Sequence, residues 1–292
     1  MVLLELGKLQ KYSCLFCKNL VRQGNVHSEN PNHFFFAVFS AFKDFRNLSK
    51  NEQLEYIQQK RNIITTQISH EQWLNYMDGF YSQHKILQEF IRQFLNPSCS
   101  STTPIFHKIL VNRETIIDEI LANLIDYDSL KDSFLEKLIQ SFKYNLEQLE
   151  ISEQKKISEQ KKQKCYSLFH EYIYNLWENI SSSLYQQFIH DIQNISHSID
   201  NYMIPLIINC LDVKIFFIDS KTKDIIIWNE YYEQYIKQED IHKNYIVLLS
   251  HENILFELLG IIYPNTDTNV HIGRLFNVHD DFIQQCYHRI DT

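Results

Sequence analysis

Apolar residues recur at helical spacing through the first two thirds of the chain, then give way to short β-branched runs. Phe35, Val38, Phe39 and Phe42 follow a polar turn and predict a buried helix over about 33–48. "LSKNEQLEYIQQKRNII" predicts a second over 50–66, with Ser49 as N-cap, Gln53 four residues on, and Leu54, Ile57 and Arg61 on one face. The periodicity continues through Trp73, Tyr76, Met77 and Phe80 to Ile86, Leu87, Phe90, Ile91, Phe94 and Leu95, and "NPSCSSTTP" (96–104) is a loop. From 105 to about 200 nearly everything reads as helix. One stripe runs through Ile116, Ile117, Ile120 and Leu121, another through Phe134, Leu135, Leu138, Phe142 and Leu146. The tandem "ISEQKKISEQKK" (151–162) has one Ile per repeat to bury and reads as a solvated helix extension or linker.

Near residue 205 the pattern changes. "VKIFFI" (213–218), "DIIIWN" (224–229), "NYIVLLS" (244–250) and "LFELLGIIY" (255–263) read as four strands between polar turns. They predict one small, mostly antiparallel sheet packed on the helix behind His33. The fold class is α+β.

Composition narrows the function. Hydrophobic residues make up 44% and charged residues 22%, as in ordinary globular chains, and only five Gly and five Pro interrupt the helices. A formal charge of −8 gives no electrostatic support for nucleic-acid binding. The start "MVLLELGKLQKYS" lacks the form of a signal peptide, and no apolar run is long enough to span a bilayer. The six scattered cysteines therefore read as reduced thiols, in a cytoplasmic or virion-interior setting. The lean to Ile, Asn, Lys, Tyr and Phe is common where genomes are AT-rich, as in some intracellular bacteria, parasites and large DNA viruses.

The stretch "NPNHFFFAVFSAF" (30–42) places His33 at a loop-to-helix junction, a position suited to a nucleophile because N–H groups at a helix start stabilise a thiolate and an oxyanion. With "QQKRNIITTQI" around Arg61, "YMIPLIINCLDVKIFFID" and "NYIVLLSHENILFELLG", it resembles the ovarian-tumour (OTU) family of deubiquitinating cysteine proteases. The resemblance covers about 28–70 and 200–262 and implies a papain-type core with a large helical insertion. The implied segments are a lead-in (1–29), a core (30–82 and 200–263), an insertion (83–199) and a C-terminal segment (264–292).

The departures fall on the chemistry. The family's nucleophile Cys aligns with His33, its turn Asp with Asn30 and its turn Gly with Pro31. The general-base His aligns with Leu255, and Glu257 keeps the polar residue two places on. Leucine moves no proton, so the resemblance implies a catalytically inactive protein. It would bind a protein partner, either ubiquitin, a ubiquitin-like protein, or components of a virion or other assembly. The alternative is an active deubiquitinase with a non-standard site. Cys14 in "SCLFCKN" is then the candidate nucleophile, although no Asp-Gly-Asn precedes it. Cys14 and Cys17 are also compatible with half a zinc site or with a buried helix face. His190 and His197 share a helix face without a third ligand, so no metal and no cofactor is expected.

Overall fold

The computed structural model describes residues 4–5, 8–17, 19–26, 29–76, 79–96, 106, 109–110, 112–122, 130–153, 157–199, 201–238, 243–252, 254–263 and 271–291. The chain is mixed α+β with a small open sheet and divides into two compact units, residues 1–68 with 188–292, and residues 69–187. The sequence placed its breaks at 82/83 and 199/200. Of the loop expected at 96–104, residues 97–104 lie outside the described residues.

The first unit holds the sheet. β1 (Gln10–Tyr12) and β2 (Leu20–Arg22) come from the lead-in, where the sequence predicts no strand. Strands of three residues are too short to show a period. β3 (Val213–Asp219), β4 (Asn244–His251) and β5 (Leu255–Tyr263) arise where expected, and β6 (His271–Gly273) extends the sheet from the C-terminal segment. The order is β1-β2-β5-β4-β3, with β6 also on β5. Among the described strands, all pairings are antiparallel except β3 with β4. A parallel pair needs a crossover, and α10 (Glu230–Lys237) supplies it, capped by Asn229. That connection corrects the expected strand at 224–229. There Ile225 makes a single bridge to Ile218, and the segment otherwise carries Trp228 onto Phe217.

The helix expected over 33–48 is two, α1 (His33–Phe39) and α2 (Lys43–Asn47). Phe42 is extended at the break, and Arg46 Nη1 donates to the released carbonyls of Ser40 and Ala41 at 2.7 and 2.8 Å. α3 (Lys50–Gln67) starts on a full capping box, but Glu52 closes it rather than Gln53, which reaches back to Phe45 O. α9 (Ile204–Ile208) leads into β3, and α11 (Asp281–Ile290) closes the chain.

The second unit is helical. α4 (His70–Asn75) and α5 (Phe80–Leu95) are separated at Gly79, whose φ of +79° suits glycine. α6 (Arg113–Ala122) and α7 (Leu130–Glu153) follow. α8 (Glu159–Gln193) lies in this unit up to Gln187. Ring contacts among Phe90, Phe134 and Trp177, and among Phe106, Phe142 and Phe169, form its core. In the duplicated segment Lys162 pairs with Glu150 and Glu159, while Ile151 is exposed.

Candidate functional site

The junction at His33 is built from its own turn outward. Asn30 O accepts from His33 N at 3.1 Å, with Pro31 in the second place of the turn, and Asn30 Oδ1 accepts from Asn32 N at 2.8 Å. The N–H groups of Asn32 and His33 are thus already bonded within the turn. Asn32 makes no side-chain cap. Its Nδ2 donates to Ile195 O, and its Oδ1 accepts from Arg61 Nη1.

His33 is buried, with Nδ1 lacking a hydrogen-bond partner among the described residues. Burial pushes its imidazole down to about 4, so it is neutral at pH 7. Its ring stacks on Phe256, centroids 6.0 Å apart, and Phe34 meets the same ring edge-on at 5.5 Å. Asn25 fastens the arrangement. Its Nδ2 donates to His33 O at 2.8 Å and also to Phe256 O. Nothing in the sequence distinguished Asn25 from other loop asparagines.

The pleat then separates residues that the sequence grouped together. Paired residues share a sheet face, and neighbours along a strand alternate. Register Ser250↔Phe256 and His251↔Leu255 puts Phe256 on the α1 face, with Leu255, Glu257 and His251 on the other. Leu255, the residue aligned with the general base, thus points away from His33, and Phe256 is the β5 side chain that meets it. Glu257 is correspondingly no part of the His33 junction.

Glu257 instead centres a buried ion network on the α11 face. It accepts from Arg22 Nε at 2.8 Å and Nη2 at 2.6 Å, and from Leu4 N. Arg22 Nη1 also donates to Gln10. Burial acts to raise the Glu257 carboxyl, but the Arg22 bonds, the proximity of His251 and the bond from the Leu4 amide outweigh it and hold the group below its usual range. His251 Nε2 stands 3.3 Å from Glu257 Oε1, yet neither ring nitrogen meets hydrogen-bond geometry among the described residues.

Cys14 lies on the α11 side as well. Phe16 of its loop stacks on Phe282 of α11, and Tyr287 of α11 meets Phe216 and Tyr245 on the Glu257 face. Burial raises the Cys14 thiol, the reverse of an activated nucleophile. Cys14 N donates to Cys17 O, so the pair forms a tight turn rather than a helix face. Among the described residues no group of three His, Cys, Asp or Glu is placed to hold a metal. His197 and Asp191 form an exposed pair, Nδ1 to Oδ1 3.1 Å.

Arg61, which the sequence placed on an apolar face, is fully buried. It donates to Ile192 O, to Asp191 O at 3.0 Å, and to Asn194 O and His197 O at 2.9 Å, capping the end of α8. Comparison of the chain with protein-family models, curated proteins and solved structures returned no match in any of the three. Among the described residues, no helix is long and apolar enough to cross a membrane.

Proposed function

We propose that the chain is a catalytically inactive OTU-like module that works by binding a protein partner, ubiquitin or a ubiquitin-like protein first among them. The observation that carries the reading is the His33 junction. A neutral imidazole is packed against Phe256 at the position where the family resemblance expects a thiol facing a base. Covalent catalysis needs a nucleophile, a proton acceptor and free oxyanion donors. Here the ring opposite His33 is a hydrocarbon, and the amides of Asn32 and His33 are bonded to Asn30. The sheet supports the papain-type reading further, with α1 lying against β5 and β4. A cytosolic or virion-interior setting fits the free cysteines.

The test uses the purified full chain with ubiquitin chains and an electrophilic ubiquitin probe. Expected are no cleavage, no probe adduct, and ubiquitin binding that Ile254→Asp abolishes. Ile254 is exposed in the turn that leads into β5. Turnover lost on Cys14→Ala or His33→Ala overturns the inactive reading. Absence of both turnover and binding removes ubiquitin as partner and leaves the assembly role.

A further inference from the structure

A cavity of about 250 Å³ opens at the end of the sheet where β3 and β4 begin, with Val213 and Asn244 at its edge. The His33 junction is at the other end, where β4 finishes and β5 starts. One wall is a single face of α3, namely Tyr56, Lys60, Ile63, Ile64 and Gln67, at spacings of three and four residues. Phe39, Phe42 and Leu211 also line the cavity. Phe39 and Leu211 are buried, and Phe39 meets the Tyr56 ring edge-on at 5.2 Å. Phe42, extended at the break between α1 and α2, lines this space together with Phe39.

Two opposite charges stand on the rim of this aromatic well. Lys60 Nζ lies 5.4 Å from the centre of the Tyr56 ring, and Asp212, in the α9–β3 connection, also lines the cavity. Among the described residues Lys60 has no carboxylate partner and Asp212 no cationic one, and they do not pair with each other. A ligand that carries both signs would meet an opposite charge in each of these two side chains. The volume lies just under the roughly 300–1,000 Å³ typical of sites for drug-sized molecules, so the ligand is smaller than those.

We propose that this cavity binds a free α-amino acid with an aromatic or branched apolar side chain. The carboxylate meets the Lys60 ammonium, the ammonium meets Asp212, and the side chain enters the well of Phe39, Phe42 and Tyr56. This site is independent of any ubiquitin-binding role.

The test is titration of the full chain with L-phenylalanine, 3-phenylpropionate and phenethylamine, followed by calorimetry and by backbone NMR shifts. L-Phenylalanine is expected to saturate with a Kd below about 1 mM, and each half-analogue to bind at least about fivefold more weakly. Lys60→Gln lowers L-phenylalanine affinity about fivefold and leaves phenethylamine unchanged. Asp212→Asn does the same and leaves 3-phenylpropionate unchanged. Both variants alter rim side chains, and the three-ligand comparison on the unaltered chain stands without them. No binding up to about 10 mM overturns the proposal. So do half-analogues as tight as the amino acid, or shifts that fall outside α3 and the start of β3.

Discussion

Replacing Glu257 with Ala removes the carboxylate at the centre of the buried network and leaves the Arg22 guanidinium without that counter-charge. Both side chains are nearly inaccessible, 4% for Arg22 and 0% for Glu257, so water does not replace the lost partner. Two charge-assisted hydrogen bonds, at 2.8 and 2.6 Å, disappear together with the anchor of Leu4 N. Breaking one side of such a pair costs about 3–5 kcal/mol, a large share of the roughly 5–15 kcal/mol that holds a domain folded. Glu257→Gln keeps acceptor atoms and loses the charge, so it should cost about 1.5–3 kcal/mol. Arg22→Met with Glu257→Leu removes both charges at similar volume and should recover most of the loss.

The assay is urea denaturation at pH 7, with hydrogen exchange read over β2, β4 and β5 to assign the loss to the first unit. The sign with pH follows from the direction of the shift. A carboxyl held below its usual range when folded contributes fully above the unfolded carboxylate pKa, and that contribution fades as pH falls through the folded value. The gap between wild type and Glu257→Ala should therefore narrow in acid. A cost under about 1 kcal/mol at pH 7, the size of an exposed pair, would refute the reasoning.

Two further predictions rest on other buried groups. Folding lowers the His33 pKa from 6.5 to about 4, so between those values the unfolded chain binds more protons and stability rises with pH, by about 3 kcal/mol in all. His33→Phe should stack on Phe256 and flatten that slope, and an unchanged slope in a pH series of urea melts rules the linkage out. Arg61→Lys keeps a charge but loses the fork that spans four carbonyls, and should cost about 2–4 kcal/mol with exchange protection lost first at 191–197. Uniform loss across the unit would contradict the capping role.

The sequence by itself determined the elements whose signal is local. β3, β4 and β5 stand where β-branched runs were read, because a buried pleated strand selects those side chains wherever it ends up. α3 begins at Ser49 because a capping box is written within four residues. The junction of turn and helix at His33 was legible for the same reason. Partnership decided the rest. β1 and β2 are three residues each and are strands only because β2 pairs with β5 at Leu20↔Ile261, while 224–229, richer in β-branched residues, finds one bridge. α10 was missed because the need for a crossover appears only once β3 and β4 are known to be parallel. The site turned on a one-residue matter. Leu255, Phe256 and Glu257 are consecutive, and which of them faces His33 is set by the pairing of β5 with β4 and by where α1 packs, since a pleated strand sends adjacent side chains to opposite faces.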